Sequence, residues 1–395
     1  MVLGILSCSV YLKTTYRMRT NCYKRLGDYI REVDVRNRDL SVTTLLGVSI
    51  SKEFIPSIAN TIGTDMSTYK IVRKGQFAYG PVTSRNGDKV SIALLANEDA
   101  AIISQAYTVF EVKDTNELLP KYLMMWFRRS EFDRYARFHS HGSAREIFDW
   151  SEMCDVILPI PSIVRQREIV AEYETLSKRI RLNEQMISSL EATAQALYRK
   201  MFVDGIDKEN LPDGWRMGAL TDIATYLNGI ACQKFESNSS KYLPVLKIRE
   251  LSQGYCDMNS DHVDVSIPGE YIIMPGDIIF SWSATLFIDI WADEKCALNQ
   301  HLFKISSNRY PKWFYFLWTK SHIEEWKRLI SAKATSMGHI KREDLDSAKV
   351  IIPSDSDLKR MDKKFNPLFE MLTFKKRENL QLKKLQSLLL AKMGQ

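Results

Sequence analysis

The sequence has few of the features that mark secreted, metal-stabilised or membrane proteins. Its 395 residues include only six cysteines, none in a Cys-x-x-Cys pair, so neither a disulfide framework nor a zinc site is predicted. No apolar run approaches the roughly 18 residues that cross a bilayer, and no basic segment precedes the apolar start as in a signal peptide. We therefore expect a soluble, cytoplasmic protein with no membrane partner.

Catalytic motifs are equally scarce. The chain has no glycine-rich phosphate loop and no nucleophile elbow. Asn366-Pro367-Leu368-Phe369 resembles an adenine-methyltransferase tetrapeptide but lacks its second proline, and His139 with His141 lacks a third metal ligand. Asp277 with Asp293-Glu294-Lys295 has the outline of a metal-dependent nuclease, which is the least favoured alternative. We expect no catalytic residue and no bound metal.

The net charge of +7 lies mainly outside the globular parts. Residues 1–20 carry +3 and residues 355–395 carry +5, whereas residues 21–161 are neutral and residues 203–354 are slightly acidic. Binding of a nucleic acid would therefore depend on where individual Lys and Arg side chains lie, and not on a basic domain.

One regular pattern dominates what is present. From Ile169 to Met201 apolar residues return at spacings of four and three, which is the seam of a coiled-coil helix, and the pattern recurs from Phe365 to Met393. A stripe this narrow needs a long helical partner, and the topology favours an antiparallel pair. The predicted seam consists of Tyr173, Leu176, Ile180, Asn183, Ile187, Leu190, Leu197, Phe365, Leu368, Leu372, Leu382 and Leu389.

Asn183 interrupts the first seam, and Lys375 occupies the equivalent place in the second. A polar seam residue commonly fixes the register of a helix pair. The alternative is that the helices diverge there and leave both residues in contact with water. Pro367 predicts a kink or a second start in the second helix.

A mixed domain precedes each helix. Strand-like runs at 69–72, 76–79, 90–95 and 107–112 lead to a helix over 118–137, and the second copy repeats this order with a helix over 312–330. The fold class is α/β (α+β): two similar mixed domains, separated and joined by two long antiparallel coiled-coil helices, in a pseudo-twofold tandem repeat. The predicted parts are an appendage at 1–22, domains at 23–161 and 204–354, and helices at 162–203 and 355–395.

Short motifs stand in a fixed order along this repeat. They are Ile160-Pro161 followed by Gln166 and Ile169, then Leu211-Pro212-Asp213-Gly214-Trp215, Gly276-Asp277-Ile278-Ile279-Phe280-Ser281 and Gln300-His301-Leu302-Phe303. In this order they resemble the specificity subunit of a bacterial type I restriction–modification system. The first domain departs from the pattern, because it lacks the Leu-Pro-x-Gly-Trp opening and has Tyr107 where the second domain has His301.

The resemblance implies a non-enzymatic subunit that recognises double-stranded DNA. Each target recognition domain would read one half of a bipartite site, and the helices would set the unread spacer and dock two methyltransferase (modification) subunits. Those subunits would use S-adenosylmethionine, and restriction (endonuclease/translocase) subunits would use ATP and Mg, while this chain would bind no cofactor. A 40-residue helix is about 60 Å long, enough to span the roughly 34 Å of one DNA turn. A coiled-coil adaptor that binds proteins is the alternative, and it would lack the steep salt dependence of DNA binding.

Loops between rigid elements carry variable function, so the candidates for DNA contact come from loops and strand ends. They are Tyr79, Ser84, Arg85, His139, His141, Ser143 and Arg145 in the first domain, and Trp282, Ser283, Thr285, Lys333, Thr335, Ser336, His339 and Lys341 in the second. For Tyr79 and Trp282 the alternative is burial in the core, and for the charged residues it is simple solvation.

Overall fold

The computed structural model describes residues 23–57, 63–84, 86–87, 89–142, 145–235, 241–332 and 339–394, so the predicted appendage at 1–22 lies outside it. The chain divides into two compact units. One comprises the described residues up to Lys178 together with those from Lys384 onward, and the other is Arg179–Lys383. Each unit holds one mixed domain and segments of both long helices. In the part of the chain that is described, every helix is too short or too polar to cross a membrane.

The first domain is built on an antiparallel four-stranded sheet in the order β2-β9-β6-β7. Three two-stranded ladders, β1-β10, β3-β4 and β5-β8, accompany it. The strands are β1 (Tyr23–Arg25), β2 (Ile30–Val33), β3 (Leu46–Val48), β4 (Phe54–Pro56), β5 (Lys70–Arg73), β6 (Phe77–Tyr79), β7 (Ile92–Leu94), β8 (Ala100–Ile103), β9 (Thr108–Val112) and β10 (Ile157–Pro159), and the helices are α1 (Pro120–Phe127), α2 (Ser130–Phe138) and α3 (Trp150–Asp155).

The second domain repeats this sheet, with β12-β19-β16-β17 in the same antiparallel arrangement. A further sheet, β14-β13-β18-β15, and the β11-β20 ladder complete it. The strands are β11 (Arg216–Ala219), β12 (Thr225–Asn228), β13 (Tyr242–Leu246), β14 (His262–Asp264), β15 (Ile272–Ile273), β16 (Ile278–Ser281), β17 (Phe287–Ile290), β18 (Cys296–Leu298), β19 (Leu302–Ser306) and β20 (Lys349–Ile352), and the helices are α5 (Leu220–Ile223), α6 (Ile248–Gln253), α7 (Lys312–Ala332) and α8 (Arg342–Ser347).

The long helices are α4 (Ile163–Phe202) and α9 (Asp355–Lys392), and they run antiparallel as predicted. In the second unit Asn183 lies beside Asn379 and Glu191 lies near Lys376. Residues further along α4 therefore contact residues earlier in α9, as in an antiparallel pair. α9 continues through Pro367 without the second start that the sequence allowed.

Stacked aromatic side chains lie in the core of each unit. In the first unit Phe77 of β6 stacks on Phe110 of β9 with ring centroids 4.8 Å apart. In the second unit Trp313 of α7 stacks on Phe365 of α9 with ring centroids 4.2 Å apart. Because Phe365 is both a seam residue and a core residue, the second helix is an integral part of its domain core.

The single helix predicted over 118–137 is wrong, since the chain forms two helices with a break at Arg128 and Arg129. Arg129 has extended backbone dihedrals of −72° and 141°. Its guanidinium is buried and lies 4.2 Å from the Trp126 ring centroid. This stacking accompanies a departure from helical geometry at a point where the apolar periodicity gives no sign of a break.

Candidate nucleic-acid interface

In the second unit, one end of the central sheet carries a cluster of aromatic and imidazole rings around Trp282. The Trp282 ring centroid lies 6.1 Å from that of His301, 5.6 Å from Phe303 and 5.5 Å from His339. Trp282 follows β16, His301 precedes β19, and His339 lies between α7 and α8. Both histidines are exposed and Trp282 is partly exposed, so the cluster faces solvent.

The backbone and one amide hold Trp282 in place. Its indole Nε1–H donates to Asn228 Oδ1 at 3.1 Å, and its carbonyl accepts from the Ile340 N–H at 3.1 Å. Ala284, two residues on, has φ of +57°, a left-handed conformation that is uncommon for a residue other than glycine. Backbone strain of this kind is found preferentially at functional sites.

The other candidates of the second domain fall into three groups. Thr285 and Lys341 are exposed, and the Lys341 backbone N–H donates to Asp344 Oδ2 at 2.7 Å at the start of α8. Ser283 is buried, and its backbone bridges to His339, so its side chain is not available to DNA. Lys333, Thr335 and Ser336 lie outside the described residues.

In the first unit, the two loop histidines converge on one carboxylate. His139 Nδ1 lies 3.0 Å from Glu152 Oε2, and His141 Nε2 lies 3.5 Å from Glu152 Oε1. The His139 ring also packs against Tyr135, with centroids 4.2 Å apart. Among the described residues no three metal-ligating side chains come together. The histidine pair is therefore organised by an acidic side chain of α3, with His141 the more exposed of the two.

A glycine shapes the loop that contains these histidines. Gly142 has φ of +134°, and a Cβ placed there would lie 2.1 Å from the Arg145 carbonyl oxygen, so the loop requires glycine. Arg145 and Ser84 are exposed and remain candidates for DNA contact. Arg85 and Ser143 lie outside the described residues.

Tyr79 is a core residue, which removes it from the candidate contacts. It is 0% exposed, and burial raises the pKa of its hydroxyl. The reason lies in the strand register: Tyr79 pairs with Thr108 on β9 as Phe280 pairs with Phe303 on β19, so Tyr79 corresponds to buried Phe280.

The same register aligns Pro81 of the first domain with Trp282 of the second. It aligns Ala106 with His301, so the alignment of Tyr107 with His301 that the sequence motifs suggested is wrong.

Two exposed or positioning residues were missed by sequence reasoning. Asn228 holds Trp282 but is separated from it by 54 positions, and nothing in its local pattern marks it. Phe138 ends α2 and is 81% exposed beside His139. The equivalent Leu329 of α7 is 50% exposed. The signal available in the sequence was an apolar residue at the same place near the end of the aromatic helix in both halves.

The nuclease outline at Asp277 has a structural explanation. Asp277 Oδ2 accepts the Met274 N–H at 2.9 Å and lies 2.9 Å from Lys304 Nζ. Gln76 closes the corresponding turn of the first domain by accepting the Arg73 N–H at 2.8 Å. The carboxylate therefore caps a turn. The tetrapeptide at 366–369 lies inside α9, where Phe369 is buried in the core.

The seam residues lie along the facing sides of the helices, and all of them are buried or partly buried. Asn183 is 1% exposed and donates from Nδ2 to Asn379 Oδ1 at 2.9 Å, so the interpretation that it is solvated is wrong. Lys375 is also buried and lies 2.8 Å from Glu378. Hydrogen bonds from Lys375 and Arg179 lower the pKa of Glu378 to about 2.

Comparison with known proteins gives matches over most of the chain. A family model for the type I restriction modification DNA specificity domain matches it twice, over residues 49–192 and 212–384. The type I restriction enzyme MjaIX specificity subunit of Methanocaldococcus jannaschii is 24% identical over 297 residues, which cover 70% of this chain and 68% of that subunit. The EcoBI specificity subunit of Escherichia coli is 28% identical over 110 residues, which cover 27% of this chain and 23% of that subunit.

A solved structure gives the same fold. The S subunit of a type I restriction-modification system from M. genitalium superposes with a TM-score of 0.56 at 14% identity, over 96% of this chain and 98% of that chain. At this identity the similarity establishes the architecture alone.

Proposed function

The chain belongs to the type I restriction–modification DNA specificity family, its function is sequence-specific recognition of DNA, and we propose that each of its domains reads one half of a bipartite target. The observation that supports this division is the repeated sheet with different side chains at corresponding ends. Trp282 and His301 stand in the second domain where Pro81 and Ala106 stand in the first. Two copies of one scaffold with different surfaces suit two unlike half-sites.

The helices are proposed to set the spacer and to dock two methyltransferase subunits. Both carry exposed apolar side chains in the described part of the chain: on α9 Leu385 and Leu388 are 50% and 60% exposed in the first unit and Phe374 is 59% exposed in the second, and on α4 Val164 is 61% exposed. In the first unit Leu385 and Leu388 line a groove together with Leu176 and Leu389. Exposed apolar residues grouped along a groove favour the helix of a partner.

The chain itself would take no part in catalysis. The carboxylate that most resembles a catalytic group, Asp277, is engaged by Lys304 and by the Met274 N–H. Adenine methylation with S-adenosylmethionine would belong to the modification subunits, and cleavage with ATP and Mg to the restriction subunits.

Methylome sequencing of the host, with and without this gene, tests the proposal. We expect loss of one bipartite adenine-methylation motif, together with duplex binding that weakens steeply as salt rises. A methylome that is unchanged by deletion, with protein partners still captured on the helices, would instead indicate an adaptor.

A matched pair of variants tests the docking surface. Leu385→Ser with Leu388→Ser should reduce copurification of the methyltransferase subunits. Ser387→Ala, which changes an exposed residue between them, should not.

A further inference from the structure

The chemistry that Trp282 can offer a ligand is restricted by its own contacts. Its one polar group, Nε1–H, already donates to Asn228 Oδ1 at 3.1 Å. An indole has no other donor and no acceptor. The partly exposed ring can therefore present only apolar surface to whatever it meets.

Among the base edges of the DNA major groove, the one apolar group is the C5-methyl of thymine. We infer that Trp282 is a specificity-determining residue of the second half-site and reads a thymine methyl there. This inference rests on the proposed function, and it assigns a chemical class to one base of a target that is otherwise unspecified.

Asn228 is the positioning residue for this contact. Its side-chain oxygen fixes the rotation of the indole from the end of β12, which β19 separates from β16, while His301 and His339 flank the ring at 6.1 and 5.5 Å. Without the acceptor at Asn228, the ring would be free to turn and its Nε1–H could reach for water or a base. The contact would then lose its selectivity for a methyl group.

Among the described residues of the first domain, the positions of this contact are occupied by other side chains. Pro81 and Ala106 occupy the places of Trp282 and His301, and Ile147 forms the backbone bridge to Val82 that His339 forms to Ser283. We therefore expect the contact made from the position of Trp282 in the second half-site only.

Replacing thymine by uracil in the DNA tests the inference, because it removes only the methyl group. The full-length chain, assembled with its methyltransferase subunits, is titrated with labelled duplexes that carry the bipartite target. Each thymine is changed to uracil in turn. Wild-type protein should lose about three- to fivefold in affinity at one position of the second half-site, the value expected for one buried methyl group.

Variants assign that loss to the ring. Trp282→Ala should bind the thymine and uracil duplexes equally, and Trp282→Phe, which keeps an apolar face if alanine disturbs folding, should retain a preference for thymine. Asn228→Ala should lose most of the preference, whereas Asn228→Asp, which keeps the acceptor, should restore it. In the first half-site none of these variants should change the response to uracil.

Specific binding by wild-type protein without any Trp282-dependent uracil effect in the second half-site would overturn the inference and leave the proposed function intact. An equal effect in both half-sites would also overturn it. If the wild-type assembly showed no sequence-specific binding, the proposed function would fail, and the inference with it.

Discussion

Replacing one asparagine of the buried amide pair between the helices should lower the free energy of unfolding, and replacing both should restore it. Asn183 and Asn379 are 1% and 6% exposed, and Asn183 Nδ2 donates to Asn379 Oδ1 at 2.9 Å. Asn183→Leu removes that donor and leaves the Asn379 oxygen buried against apolar surface. An unsatisfied buried acceptor costs about 1–3 kcal/mol.

Asn379→Leu in the Asn183→Leu background removes the stranded acceptor and creates a wholly apolar layer in the seam. Such layers stabilise coiled coils more than a polar layer does, so the double variant should recover the loss of the single one. The double variant is therefore expected to be more stable than the sum of the two single variants by at least about 1–3 kcal/mol.

Thermal unfolding of the unit that contains residues 179–383 measures the effect. For a unit of this size about 1 kcal/mol corresponds to roughly 2–4 °C in Tm, so the single variant should melt about 2–12 °C lower. Gln185→Leu, at an exposed position of the same helix, is the control and should stay within about 0.5 kcal/mol. Additive losses in the double variant would refute the reasoning, because they would mean that the amides contribute separately.

Further predictions concern DNA contact, acid stability and the spacer. Arg145→Ala should cost about 1–3 kcal/mol of binding and relax one base of one half-site if the guanidinium pairs with a base, whereas a uniform loss with a salt slope lower by about one would identify a phosphate contact. Since the pKa of Glu378 is lowered to about 2, its stabilisation is present above the ordinary glutamate value of about 4.3 and is lost as pH falls toward 2; Glu378→Gln should flatten the Tm profile over that interval. Seven residues inserted after Lys178 and seven before Lys384, at the boundary between the units, should lengthen each helix by about 10 Å and the unread gap in the methylated motif by roughly three base pairs. An unchanged gap with methylation intact would show that the helices do not set it.

The parts of the fold that the sequence predicted are those fixed by local periodicity. The heptad seam predicted both long helices, because a narrow apolar stripe can be buried only along a long helical partner, and the order of the tandem repeat predicted their antiparallel orientation. The strand runs of the first domain appear within two residues of their predicted bounds. What failed depends on contacts distant in sequence: the stacking of Arg129 on Trp126 accompanies a break in a helix whose apolar pattern is continuous.

The candidate site was less predictable for a related reason. Tyr79 and Trp282 both end a strand-like run, yet Tyr79 lies inside β6 and is buried, whereas Trp282 lies just beyond the end of β16 and is partly exposed. Register is set by pairing across the sheet, and a short apolar run is compatible with more than one pairing. Asn183 shows the same dependence, since its side chain is buried against hydrogen-bond acceptors of the other helix, Asn379 and Glu378.

Divergence between the two halves separates positions that maintain the scaffold from positions that are free to vary. At the turn before the central strand, Gln76 and Asp277 differ in charge. Each nevertheless accepts the N–H of the residue three positions earlier, and each finds a complementary partner on the neighbouring strand, Glu111 at 2.8 Å and Lys304 at 2.9 Å. Because both contacts are kept in each half, the difference in charge leaves the turn of the scaffold intact. At the other end of the same strands Trp282 stands where the first domain has Pro81: one side of the ring packs against Phe303 and the core, and the rest remains exposed to solvent. The exposed part of this apolar ring gains the stabilisation of burial only when a ligand covers it, which agrees with a binding role for this position.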